Sequence, residues 1–127
     1  MAVLSISVLL IEDNPIHARL LQGLLSDAQD PAFAVETADH LAAGLARLGQ
    51  GGIDAVLLDL VLPDSQEITT FERVKEVAPD MPVLVLTGLA DEDLAEEAVA
   101  AGARAYLIKT EIDGASLIQS IQTAVVE

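Results

Sequence analysis

Ile6-Ser7-Val8-Leu9-Leu10-Ile11-Glu12-Asp13-Asn14-Pro15 reads as a strand that runs straight into a helix. Residues 6–11 form a β-rich run of strand length, stopped by two adjacent acids. Asn14 suits a helix N-cap, and Pro15 suits the first helical position, where a missing N–H is no loss. Leu20, Leu21, Leu24, Leu25 and Ala28 then recur at helical period and give one apolar stripe, which Asp30-Pro31 ends.

The same alternation repeats along the chain. Phe33 to Thr37 reads as a short second strand. Asp39 is placed to cap a second helix with Leu41, Leu45 and Leu48 on one face, closed by Gly49 to Gly52. Ala55 to Leu60 is a third strand, apolar except for Asp59. Phe71, Val74 and Val77 mark a third helix that ends before Pro79. Pro82 to Leu86 is a fourth strand leading into Thr87-Gly88. Asp91 is placed to cap a fourth helix carrying Leu94, Ala95, Ala98 and Val99, and Gly102 stops it. Tyr106 to Ile108 is a fifth strand, and Ile112 to Val126 a last helix with Leu117, Ile118, Ile121 and Val125 facing inward. Strands 1, 3 and 4 are apolar on both faces, as strands covered by helices on both sides must be. Five βα units with right-handed crossovers predict a doubly wound parallel α/β sheet.

The 127 residues suit one domain spanning 1–127, with no linker or repeat. The composition, 52% hydrophobic but only 2% aromatic, predicts a core of Leu, Val, Ile and Ala. The absence of cysteine excludes disulfides and thiolate metal sites and favours a reducing compartment. The first apolar run has no basic residue before it and is too short for a signal peptide or a membrane span, so the expectation is a soluble, cytoplasmic chain with no membrane contact. Twenty-one acids against six bases give a net charge of -15. That charge disfavours direct nucleic-acid binding and favours divalent cations and basic partner surfaces.

Ligands of open α/β sheets sit beyond the C-terminal ends of the strands. Strand 1 ends in Glu12-Asp13, strand 3 in Asp59, strand 4 in Thr87, and Lys109 follows strand 5. Three carboxylates brought together need a cation, and hard oxygen ligands suit Mg²⁺. Asp59 is then a plausible carboxylate nucleophile that would form an acyl phosphate. Lys109 can pair with a phosphoryl oxygen, Thr87 can donate to another, and Gly88 leaves its backbone N–H open to approach. His17 and His40 read as surface residues without a role. Asp91, Glu92, Asp93, Glu96 and Glu97 crowd the start of the fourth helix, where they favour the helix dipole or offer a partner-binding face.

With these residues placed, the chain resembles the receiver domain of two-component response regulators. The resemblance is carried by Val8 to Asn14, by Leu57-Leu58-Asp59-Leu60-Val61-Leu62-Pro63, by Val85 to Gly88 and by Gly102 to Lys109. It implies a flavodoxin-like fold with strand order 2-1-3-4-5. It implies Asp59 as phosphoacceptor, with Thr87 and Lys109 holding the phosphoryl group. For Mg²⁺ it implies Asp13 as direct ligand, Glu12 acting through water, Asp59, and the backbone carbonyl of Val61. Tyr106 would be an aromatic switch that turns inward as Thr87 moves. The implied partners are a histidine kinase or phosphotransfer protein and an output domain or downstream protein. Signalling would run through the helix 4–strand 5–helix 5 face, where a homodimer could also form. Such a domain catalyses its own modification but turns over no separate substrate.

The chain departs from the family pattern in two places. Thr110 stands where a proline often follows the lysine. Glu67 stands where a glycine is common, eight residues after the acceptor, so a changed loop is expected there. Leu62-Pro63-Asp64-Ser65 and Lys109-Thr110 resemble receivers of hybrid signalling proteins. The apolar Val61 and Leu89 flank the site, and they are expected to hinder an attacking water and lengthen the phosphorylated lifetime. The chain reads either as a whole single-domain regulator or as the N-terminal domain cut from a longer protein.

Three other functions compete. A haloacid dehalogenase-like phosphohydrolase would place a second acid two residues after the nucleophile, where Val61 stands. A flavin or nucleotide carrier would need a Gly/Ser/Thr-rich loop after strand 1, where Glu12-Asp13-Asn14-Pro15 has the wrong charge. A degenerate receiver acting only as an interaction module is disfavoured by the intact acid, threonine and lysine set.

Overall fold

Strands and helices alternate through the computed structural model, which describes residues 5–28, 32–88 and 92–126. The order is β1 (Ser5–Ile11), α1 (Pro15–Ser26), β2 (Ala32–Ala38), α2 (Leu41–Leu48), β3 (Ala55–Asp59), β4 (Val61–Leu62), β5 (Ser65–Gln66), α3 (Glu67–Val77), β6 (Val83–Thr87), α4 (Glu92–Ala100), β7 (Ala105–Ile108) and α5 (Gly114–Val126). Five strands form one parallel sheet in the order β2-β1-β3-β6-β7. Counted among sheet strands alone, this is the expected 2-1-3-4-5. The sequence reading missed β4 and β5, a two-residue antiparallel hairpin set apart from the sheet.

Alternation along the strands divides the core in two. Leu9, Ile11, Val56, Leu58, Val83 and Val85 pack beneath α2, α3 and α4. Val8, Leu10, Leu57, Leu84 and Leu86 pack beneath α1 and α5. Every residue of β3 and β6 is buried, which explains why neither shows a polar face. A small residue sets one approach: α2 lies so close to β1 that a Cβ on Gly44 would run into Ile11 Cδ1 and sit 2.9 Å from its Cγ1.

The first helix starts as expected, with Asn14 Oδ1 accepting from the N–H groups of Ile16 at 2.9 Å and His17 at 3.3 Å. Its stripe is narrower than expected. Leu21 and Leu25 are buried, but Leu20, about 100° around the helix from Leu21, is 52% exposed. Val77 and Val99 likewise reach solvent at the edges of their stripes.

The cap of α2 is a correction. His40, not Asp39, is the N-cap residue, and its side chain caps nothing. The carboxylate of Asp64 does this from 22 to 23 residues away, accepting from the N–H groups of Leu41 at 2.7 Å and Ala42 at 2.9 Å. Asp39 instead pairs with His40 Nδ1 at 2.7 Å. The last helix begins at Gly114 rather than Ile112, with Asp113 Oδ1 accepting from the Ser116 N–H at 2.8 Å. The expected Asp91 cap and the Asp30-Pro31 stop lie outside the described residues. Among the described residues, no helix is long and apolar enough to cross a membrane.

Candidate functional site

The parallel sheet brings the ends of β1, β3, β6 and β7 to one edge, because neighbouring strands run in register. Glu12 extends the β1–β2 ladder by one bond, its N–H donating to the Ala38 carbonyl at 2.9 Å. Its side chain is buried, with Oε2 accepting from the Asn14 N–H at 3.1 Å. Asp13 is exposed beside it. Asp59 closes β3 and is only 6% exposed. Its Oδ1 accepts from the Val61 N–H at 2.9 Å, and its Oδ2 accepts from Lys109 Nζ at 2.8 Å.

Lys109 stands just beyond β7, where its N–H donates to the Thr87 carbonyl at 2.8 Å. The Glu111 N–H returns to the Ile108 carbonyl at 2.9 Å and closes a turn with Lys109 and Thr110 at its centre. The Lys109 ammonium also lies 2.7 Å from Glu12 Oε1, an ion pair by distance whose angle falls short of a hydrogen bond. Glu12, Asp13, Asp59, Thr87 and Lys109 line one cleft of about 400 Å³, together with Val61 and Gly88. Thr87 Oγ1 is buried there without a hydrogen-bond partner among the described residues. A larger cleft of about 550 Å³ beside the N-terminal ends of β3, β6 and β7 gathers no comparable set of groups.

Charge follows from this packing. Burial pushes the Glu12 carboxyl up to about 7, the Asp59 charge adds to the effect, and Lys109 only partly opposes it. Burial also works against the Lys109 ammonium, but its contacts with Asp59 and Glu12 outweigh that and raise its pKa. Carboxylate oxygens of Glu12, Asp13 and Asp59 all lie within 4.8 Å of one another. Once ionised, three carboxylates against one ammonium leave two negative charges, which a divalent cation with hard oxygen preference would balance. The donor set therefore fits Mg²⁺, and the partnerless Thr87 hydroxyl fits an acceptor oxygen entering the cleft.

Two expectations change. His17, read from the sequence as a surface residue, lines the cleft, and its Nδ1 lies 3.4 Å from Lys109 Nζ. The signal was present: His17 precedes Leu21 by four residues and so shares the inward face of α1. Glu67 takes φ 62, the left-handed conformation that glycine adopts without cost, and its N–H donates to the Leu60 carbonyl at 2.7 Å. The departure at this position thus shows as backbone strain. Tyr106 stands outside the cleft, half-buried against the core beneath α2, α3 and α4. Leu89 lies outside the described residues.

Comparison with known proteins agrees with this geometry. The family model described as the response regulator receiver domain matches residues 8–122. The chain is 31% identical over 104 residues to the transcriptional regulatory protein ZraR of Klebsiella oxytoca, covering 82% of this chain and 23% of that protein. It is 30% identical over 118 residues to the DNA-binding transcriptional activator DevR/DosR of Mycobacterium tuberculosis, covering 92% of this chain and 53% of that protein. The chain therefore spans only part of these relatives. Among solved structures, a response regulator receiver domain protein from Clostridium thermocellum superposes with a TM-score of 0.84 at 28% identity, covering 95% of this chain and 94% of the other.

Proposed function

The chain belongs to the response regulator receiver domains, and from that premise we propose that it is a signalling switch phosphorylated on Asp59. One observation carries the assignment: the buried Asp59 carboxylate shares a cleft with a paired ammonium and a buried hydroxyl that has no partner among the described residues. The donor is a histidine kinase or phosphotransfer protein. A carboxylate oxygen of Asp59 attacks the phosphorus of the donor's phosphohistidine. The P–O bond forms as the P–N bond breaks, and the leaving imidazole keeps the electron pair and is protonated. Lys109 then meets a phosphoryl oxygen as a point charge, and Thr87 Oγ donates to another.

Glu12, Asp13, Asp59 and the Val61 carbonyl would hold Mg²⁺, which when bound offsets the repulsion between the acids and the incoming phosphoryl oxygens. Movement of Thr87 toward the phosphate would draw Tyr106 inward, and the α4–β7–α5 face would carry the signal to an output domain or downstream protein. A homodimer through α4 and α5 is a further use of that face. The exposed Ile16 and Leu20 on α1, beside the cleft, offer the donor an apolar footing. We place the domain, residues 1–127, in the cytoplasm, without direct nucleic-acid contact and without turnover of a separate substrate.

Intact mass after incubation with Mg²⁺ and acetyl phosphate tests the assignment. A single Mg²⁺-dependent phosphoryl adduct that is absent from Asp59→Asn is expected. No adduct and no Mg²⁺ binding would move the chain to a protein-interaction module, with Asp59 structural.

A further inference from the structure

We propose that His17 is a positioning residue for Lys109, an inference that rests on the phosphoacceptor assignment above. The ammonium has three N–H donors. One goes to Asp59 Oδ2 at 2.8 Å, and the ammonium also lies 2.7 Å from Glu12 Oε1. The remaining polar neighbour among the described residues is His17 Nδ1 at 3.4 Å, a long contact from a ring that is itself half-buried in the cleft wall. His17 is held by the start of α1, where its backbone N–H bonds to the Asn14 cap.

The three acceptors differ in what modification does to them. Asp59 would turn one carboxylate oxygen into the bridging oxygen of an acyl phosphate, and Glu12 belongs to the acid cluster that would meet the metal. His17 belongs to neither group, so it is the neighbour whose chemistry does not change. A lysine stem has many rotamers, and its point charge selects no direction by itself. With only the two carboxylates as neighbours, the ammonium would stay clamped between them. The imidazole draws it toward the α1 side of the cleft and keeps it there when Asp59 gives up its charge. The contact requires the tautomer with Nδ1 free of hydrogen, because two N–H donors cannot share a hydrogen bond. It also joins residues 92 positions apart in sequence.

The test compares wild type, His17→Ala and His17→Asn, since an Asn amide oxygen can reach nearly the place of Nδ1. His17→Ala should slow adduct formation with acetyl phosphate and Mg²⁺ by about tenfold, on the scale of a displaced charged group. Melting temperature and Mg²⁺ affinity should stay unchanged, and His17→Asn should recover most of the rate. Imidazole ¹⁵N shifts in the wild type should report an unprotonated Nδ1 that responds to Lys109→Met. A wild-type rate in His17→Ala overturns the proposal. So does a slowing that Asn fails to rescue and that comes with a lower melting temperature. A wild type that takes no phosphoryl group defeats the phosphoacceptor assignment instead. The ¹⁵N shifts then decide the His17–Lys109 contact, and no response to Lys109→Met overturns it.

Discussion

The backbone N–H of Lys109 donates to the carbonyl of Thr87 at 2.8 Å, so the two groups assigned to the phosphoryl oxygens are fastened to each other by main chain. Their side chains differ in state. The ammonium is paired, whereas the Thr87 hydroxyl is buried without a partner among the described residues. An unpaired buried hydroxyl costs free energy that an apolar isostere does not. Thr87→Val should therefore stabilise the unmodified domain by about 1 kcal/mol in urea unfolding. The same change should slow phosphorylation by roughly tenfold or more, because it deletes a donor to developing charge. A destabilised Thr87→Val would mean that the hydroxyl has a partner in solution.

Glu12 gives the domain a pH dependence. Its carboxyl, raised from 4.5 to about 7, holds its proton more tightly folded than unfolded. Its contribution to stability is thus fully present below about 4.5 and is lost as pH rises through about 7. Without metal, melting temperature should fall across that window, and Glu12→Gln should flatten the slope. Mg²⁺ should oppose the fall, because the metal takes the ionised carboxylate and releases its proton. Titration calorimetry in buffers of different ionisation enthalpy would count that proton, and zero release near pH 6 would contradict the assignment.

Val61 is 46% exposed at the rim of the cleft. Val61→Asn should shorten the lifetime of the adduct by giving an attacking water a polar partner, and Val61→Phe should lengthen it. Decay followed by phosphate release would decide; equal lifetimes in all three proteins would remove Val61 from the hydrolysis step.

Strain at Glu67 can be relieved. A left-handed L-residue costs about 1–2 kcal/mol, part of which glycine returns through the freedom of its unfolded chain. Glu67→Gly should stabilise the domain by about 1 kcal/mol by urea midpoint. A loss of stability would show that the Glu67 side chain makes a contribution larger than its strain.

Asp64 should matter more than its exposed position suggests. Asp64→Ala leaves the first donors of α2 without their acceptor and should lower the melting temperature by about 3–6 °C. Asp39→Ala should change it little. The reverse ranking would restore the local cap expected from the sequence.

These residues show what the sequence made legible. Asn14 caps a helix that starts at the next residue, so local spacing was enough. Asp64 caps one 22 to 23 residues earlier in the chain, and no local pattern encodes such a pairing. β1, β3 and β6 were readable because buried parallel strands are largely apolar. The two-residue β4 and β5 carry no period to read. Glu12, Asp59, Thr87 and Lys109 could be named from strand ends alone, since the sheet fixes where those ends go. The inward side of His17 was legible from Leu21 four residues on, but its meeting with Lys109 depends on how α1 sits over the sheet.

The long-range cap has a kinetic consequence. The amide hydrogens of Leu41 and Ala42 are held by a side chain from the segment that follows Asp59. They should exchange with deuterium when Asp64 lifts away, even while the rest of α2 stays closed. Two amides of α2 would thus act as a clock for the segment that follows Asp59. Their exchange rates before and after phosphorylation would time its opening without any label at the site.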